Sequence, residues 1–190
     1  MTISNKLTIM RIILVPVLVV LMLLDFKYAD YYAAAVFVIA SFTDFLDGYL
    51  ARKRNEITNF GKFADPLADK LLVSAALIAL CTVGRLGHPL LGMWGTFVII
   101  AREFMVTGIR LVAAAEGRVI AAGMSGKIKT AIQMVTITYI LFADLLIMLG
   151  LPFDISNIIV NVLVVASVFM TVYSGTEYLI QNRSLLNTNK

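Results

Sequence analysis

Cysteine is nearly missing from this sequence: Cys81 is the only one, which excludes an internal disulfide and a metal site made of thiolates. Histidine is equally scarce. His88 stands alone in a predicted outer turn next to Pro89, and nothing joins it to a site. Long polar stretches are absent too, so residues 1–190 are expected to form one domain with no soluble appendage. There is no long internal repeat, no low-complexity segment and no signature of a nucleic-acid-binding fold, so the net charge of +4 does not point to DNA or RNA.

What the chain has in excess is apolar surface. Sixty per cent of its 190 residues are hydrophobic and its mean hydropathy is +0.90, well beyond what a soluble domain uses for a core. A membrane-spanning helix needs about 20 mainly apolar residues. Six such windows can be marked, at about 7–24, 31–52, 60–84, 90–114, 124–149 and 155–180. The expectation is an all-α integral membrane protein of six transmembrane helices. Lys6 and Arg11 before an apolar run imitate a signal peptide, but the run ends in "LLDFKYAD" without a small-residue cleavage site. It reads as a retained first helix.

With the helices alternating across the bilayer, all but Lys27 and Arg85 of the sixteen Lys and Arg fall on one side or within the helix halves nearest it. By the positive-inside rule both termini are then cytoplasmic, and the one-sided positive charge also favours anionic lipid. Trp94 with Tyr28, Tyr31 and Tyr32 lies near the outer interface, as an aromatic belt would. Gly84 with Gly87 and Gly92 with Gly95 read as turn glycines, and Asp154 or Ser156 as the cap of the last helix.

Against this background the stretch "DFLDGYLARKRNEITNFGKFADPLADK" holds four aspartates. Before Asp44 the second helix offers only "YYAAAVFVIASFT", about 20 Å of a ~30 Å hydrocarbon core at 1.5 Å per residue. It must therefore continue through Asp44 and Asp47. The third helix has the mirror problem, since "LLVSAALIALCTV" after Lys70 is equally short and must reach back through Asp69 and Asp65. Asp44, Asp47, Gly48 and Ala51 recur at i, i+3, i+4 and i+7, one face combining acid with small side chains. Gly61, Asp65 and Asp69 recur every four residues, again on one stripe. Pro66 interrupts this stripe, a defect tolerated where a helix lines a protein-buried cavity.

Four converging carboxylates in a low dielectric need compensation. Basic side chains are one remedy, with the aspartates bridging Arg52, Lys53, Lys62 and Lys70 in a purely structural seam. Divalent cations are the other. Oxygen-only carboxylate ligands suit Mg²⁺ or Mn²⁺, which keep coordination positions open for substrate phosphates. Intramembrane acids are functional by default, which favours the second reading.

The same residues carry a resemblance. Asp44-x-x-Asp47-Gly48-x-x-Ala51-Arg52 followed by Gly61-x-x-x-Asp65-x-x-x-Asp69 resembles the signature of the CDP-alcohol phosphotransferases, membrane enzymes that displace CMP from a CDP-linked substrate with an alcohol. Every fixed position is present, eight residues in 26 positions. "NKLTIMRIILVP" from Asn5 and "REFMVTGIRLVAAAEGRVIAAGMSGKIKT" from Arg102 are similar to the bacterial branch that joins CDP-diacylglycerol to sn-glycerol 3-phosphate. The resemblance implies the family's six-helix fold, a homodimer, and two divalent cations at the CDP pyrophosphate. It further implies the bacterial plasma (inner) membrane, with the active site facing the cytoplasm. Carried over by position, Asp44, Asp47 and Asp65 are metal ligands, and Asp69 is the metal-adjacent general base. Gly48, Ala51, Arg52 and Gly61 form the nucleotide end of the CDP-diacylglycerol site, which Asn5 and Thr8 close from the first helix.

An acceptor with its own phosphate needs a cationic pocket, and Arg110, Lys127 and Arg118 around one connection supply candidates. Lys127 and Lys129 are about 200° apart on a helix, so one of them faces the site, and Lys127 is the choice. Arg102 beside Glu103 reads equally as a paired structural charge or a site residue. The nearest alternative is another acceptor, namely phosphatidylglycerol, inositol phosphate or serine. A cation transporter is a different class, but Asp144 and Asp154 do not extend the acids into a file across the membrane.

Overall fold

The apolar windows form helices almost to their expected bounds in a computed structural model of the chain. Its backbone is described for residues 3–24, 26, 28–54, 59–115, 120 and 123–183, and its side chains for these except 3, 4, 44–54, 59–66, 69 and 115. Six helices follow in order: α1 (Ile3–Leu23), α2 (Ala29–Arg54), α3 (Asn59–Thr82), α4 (Pro89–Ala115), α5 (Met124–Met148) and α6 (Phe153–Gln181). The largest displacement is at α1, which begins at Ile3 and not near residue 7. Among the described residues, α1, α5 and α6 are long and apolar enough to cross a membrane on their own composition. Within α2 and α3 the described residues include the shorter apolar stretches Ala29–Thr43 and Lys70–Thr82. These are the short runs whose insufficient length required both helices to continue through their aspartates.

Glycine ends two of these helices. Gly84 (φ 72°) and Gly150 (φ 108°) take the left-handed backbone conformation that a side chain opposes. At α3 the amide of Arg85 donates to the Leu80 carbonyl and that of Gly84 to Cys81, at 3.0 and 3.1 Å. At α5 the amides of Leu151 and Gly150 repeat the pattern on Leu146 and Ile147, both at 3.0 Å. Each pair satisfies carbonyls that the helix end leaves open. Gly92 and Gly95 correct the sequence reading, because both lie inside α4. A Cβ on Gly95 would stand 3.0 Å from Val168 Cγ2, so this glycine lets α4 and α6 approach closely. Neither Asp154 nor Ser156 caps α6, which already starts at Phe153. Asp154 sits in its first turn, where a negative charge favours the helix dipole.

The chain divides into two units, residues 1–85 with 137–153, and 86–136 with 154–190. In the first, α1 packs against both α2 and α3. The contact surfaces are rich in small side chains, with Ala33, Ala34 and Ala40 on α2 and Ala68, Ala76 and Ala79 on α3 all buried. Small residues let helix backbones come close where no hydrophobic drive separates protein from lipid. Arg85 bridges Asp30 and Asp144 at 2.8 and 2.9 Å, which gives Asp144 a structural use.

In the second unit the helices are tied by polar contacts. Gln133 on α5 donates to Thr171 on α6 at 3.2 Å, and the hydroxyls of Thr136 and Ser167 meet at 2.9 Å. All four residues are buried. Outward-facing apolar side chains such as Phe97, Phe104, Ile158, Phe169 and Ile180 are exposed, as expected of a surface whose solvent is hydrocarbon.

Candidate active site

The aspartate signature lies on two helices of the first unit. α2 runs without a break through Asp44, Asp47, Gly48, Ala51 and Arg52, and α3 through Gly61, Asp65 and Asp69, across Pro66. Both expected continuations are therefore present in the backbone. Helix periodicity puts Asp44 with Asp47, and Asp65 with Asp69, on one face of each helix. Their side chains, with those of Gly48, Ala51, Arg52 and Gly61, lie outside the described residues. Among the described side chains no three His, Cys, Asp or Glu gather as a metal site. The donor set that fits a divalent cation is the aspartate one: carboxylate oxygens only, two per helix, without sulfur or imidazole.

α1 brings a second polar group into this unit. Asn5 and Thr8, the residues expected to close the nucleotide end, are both buried, Thr8 at 0% exposure. The next position on the same i+3 progression is Arg11, also at 0% exposure and the largest fully buried side chain of those described. Burying a guanidinium in an apolar helix is justified only by partners or function. The sequence reading gave Arg11 no role, yet the spacing 5, 8, 11 in an otherwise apolar segment was its signal.

The second unit holds a cavity of about 200 Å³ between the end of α4, the start of α5 and the last turns of α6. Arg102 and Arg110 line it from α4, Ser125 and Gly126 from α5, and Ser174, Glu177 and Tyr178 from α6. The Arg110 guanidinium carbon lies 5.4 Å from the Tyr178 ring centroid, a cation–π contact that holds its plane. Arg102 Nη1 donates to Glu103 Oε1 at 3.0 Å, and Lys129 Nζ donates to the same oxygen. One half-buried carboxylate thus carries two cations, and the trio retains a net positive charge beside the cavity.

Of the expected acceptor residues, Arg110 lines this cavity. Lys127 is exposed on the first turn of α5 and is not in the lining, whereas Lys129 is buried at 3% exposure in its pair with Glu103. Arg118 lies outside the described residues. Arg102 turns out to be both things weighed for it, a partner of Glu103 and a wall of the cavity. Ser174, Glu177 and Tyr178 had no sequence signal strong enough to mark them. Only the polar spacing at 167, 171, 174 and 178 along α6 hinted at an inward stripe.

Comparison with known proteins finds relatives that match nearly the full length of the chain. The chain is 44% identical to the CDP-diacylglycerol–glycerol-3-phosphate 3-phosphatidyltransferase of Bacillus subtilis (strain 168), over 97% of each chain. It is 35% identical to the protein of that name from Rickettsia typhi, over 92% of this chain and 93% of that one. A third, from Salmonella choleraesuis, is 39% identical over 74% of this chain and 76% of its own length. The family model described as CDP-alcohol phosphatidyltransferase matches residues 1–174, the span that carries both the aspartate helices and most of the cationic cavity. This six-helix membrane protein belongs to the CDP-alcohol phosphatidyltransferase family.

Proposed function

We propose that the protein transfers the phosphatidyl group of CDP-diacylglycerol to the C1 hydroxyl of sn-glycerol 3-phosphate, giving phosphatidylglycerophosphate and CMP. The observation that carries this reading is the 44% identity over 97% of the chain to the Bacillus subtilis enzyme named for that reaction. The complete aspartate signature supports it. Residues 1–190 act as one catalytic domain and as a homodimer. They sit in the bacterial plasma membrane with both termini and the active site toward the cytoplasm, in keeping with the bias of Lys and Arg.

Divalent-cation dependence is general to the family. Asp44, Asp47, Asp65 and Asp69 would hold two such ions, Mg²⁺ or Mn²⁺, which when bound neutralise the CDP pyrophosphate and stabilise the leaving oxygen. Gly48, Ala51 and Gly61 leave room for close approach of the nucleotide, Arg52 pairs with its phosphate, and Asn5 and Thr8 hydrogen-bond at its edge. Asp69 takes the proton of the acceptor's C1 hydroxyl as that oxygen bonds to the lipid-side phosphorus. The bond from that phosphorus to the CMP oxygen breaks, and CMP leaves with the electron pair. Arg110 binds the acceptor's own phosphate, and Lys127 and Arg118 add positive charge around the same connection. Holding both reactants in register accounts for most of what such a displacement asks of a protein.

The test is incorporation of radiolabelled sn-glycerol 3-phosphate into lipid by the purified protein with CDP-diacylglycerol and Mg²⁺ or Mn²⁺, with CMP measured in parallel. Metal-dependent lipid product with equimolar CMP is expected. A folded protein that makes neither would remove the assignment, and inositol phosphate, serine and phosphatidylglycerol would then be tried as acceptors.

A further inference from the structure

The α4–α5–α6 cavity presents an imbalance of hydrogen-bonding groups. Two arginines and a glutamate line it, yet among the described residues Glu177 forms no ion pair with either arginine. Glu177 Oε1 accepts a hydrogen bond from Gln181 Nε2 at 3.1 Å, which fixes the carboxylate on α6. Its other oxygen, Oε2, is buried and has no partner among the described residues. The same holds for Arg102 Nε, Arg110 Nε and the Tyr178 hydroxyl, so four orphaned polar atoms belong to residues of one cavity wall. Buried polar atoms are normally satisfied, and leaving one unpaired is costly, more so when it is charged. The arginines call for an anion, while the carboxylate oxygen calls for a donor. Free phosphate would answer the first demand and be repelled by the second. A phosphorylated polyol carries both answers on one small molecule.

We infer that Glu177 is a specificity residue that accepts a hydrogen bond from the C2 hydroxyl of the acceptor, and so makes this cavity selective for phosphorylated polyols over simple phosphorylated alcohols. The inference rests on the acceptor reading given above and adds to it the group that recognises the hydroxyl not consumed in the reaction. Arg110, held against Tyr178, and Arg102, held by Glu103, contribute the phosphate contacts. Glu177, held by Gln181, contributes the hydroxyl contact. A site built to bond a hydroxyl discriminates against an analogue lacking it, because the carboxylate then stays buried and unpaired.

The experiment compares sn-glycerol 3-phosphate with 3-hydroxypropyl phosphate, in which hydrogen replaces the C2 hydroxyl, for the wild-type protein and the Glu177→Gln and Glu177→Met variants. The wild type is expected to favour the natural acceptor in kcat/KM by about 10-fold to 100-fold, the range of one charge-assisted hydrogen bond. In Glu177→Met the ratio falls close to one, through a higher KM for sn-glycerol 3-phosphate and an unchanged or improved KM for the analogue. The KM for CDP-diacylglycerol stays put, and Glu177→Gln lies between. A wild type without preference, or variants that slow both acceptors equally at constant ratio, would overturn the inference and leave Glu177 a structural role. Calorimetric titration of both acceptors without donor lipid reads the cavity independently of turnover. Selective binding without transfer would sink the proposed reaction and keep the hydroxyl contact; transfer with equal binding of the two compounds would do the reverse.

Discussion

The two units of this protein solve the same problem, charge inside a lipid-facing bundle, in different ways. In the first, apart from Asp30 and Asp144 bridged by Arg85, the acids of the signature are spaced along single helices: Asp44 with Asp47 on α2, Asp65 with Asp69 on α3. No basic residue intervenes at those spacings, and the arrangement suits a cation supplied from outside. In the second, charges from different helices neutralise one another, as where Glu103 of α4 takes both Arg102 and Lys129 of α5. The first pattern is the one proposed above to hold metal and pyrophosphate. The second uses most of its charge internally and leaves a modest positive excess, which suits a small anionic acceptor. Local periodicity therefore carries the proposed metal site in the first unit, whereas cross-helix pairing shapes the proposed acceptor site in the second.

That contrast can be broken at several points. Asp69→Asn should have the largest effect, lowering kcat by on the order of 10² to 10⁴ as a general base is removed, with helix content intact by circular dichroism. Near-normal turnover would take the proton-transfer role from Asp69 and weaken the division between the units. Glu103→Gln comes next, because it removes the negative charge between Arg102 and Lys129 in a largely buried setting and should destabilise the fold by about 3–5 kcal/mol, read by denaturant unfolding in detergent. Adding Lys129→Met should return much of that loss. If the single change were harmless, the trio would not be an internally neutralised seam.

Arg110→Ala sharpens the comparison from the acceptor side. It should raise the KM for sn-glycerol 3-phosphate by about 10-fold to 100-fold, the loss of a charge-assisted contact, and leave the KM for CDP-diacylglycerol nearly unchanged. Equal effects on both substrates would remove Arg110 from acceptor binding. Thr136→Val should be smallest. Loss of its 2.9 Å contact with Ser167 should lower stability by about 0.6 kcal/mol, typical of a polar bond between membrane helices, with activity retained. A loss several times larger would show that the α5–α6 polar contacts act as one cooperative network.

Most of the helix pattern was legible beforehand because lipid imposes a length that a chain must meet in consecutive residues. The shortness of "YYAAAVFVIASFT" and "LLVSAALIALCTV" alone required α2 and α3 to continue through their acids, and both do. Glycine placement was less legible. Gly84 and Gly92 look alike in sequence, but one takes a left-handed turn and the other sits within α4. At Gly84 the left-handed backbone is what favours glycine, whereas a Cβ on Gly92 would stand 2.8 Å from Leu86 Cβ, a close approach to the preceding turn.

By itself, then, the sequence determined the number of helices, their bounds, the faces on which the aspartates recur and the family signature they compose, since each depends on spacing within one segment. Only the tertiary structure decided which of Lys127 and Lys129 is buried, that Arg102 shares Glu103 with Lys129, and that Arg110 rests on Tyr178. It also decided that Glu177 faces the same cavity as the arginines without pairing to them. These are relations between residues far apart in the chain, 26 positions for Glu103 and Lys129 and 68 for Arg110 and Tyr178. Such relations depend on how side chains from different segments share a closed volume, a quantity that no one-dimensional period contains.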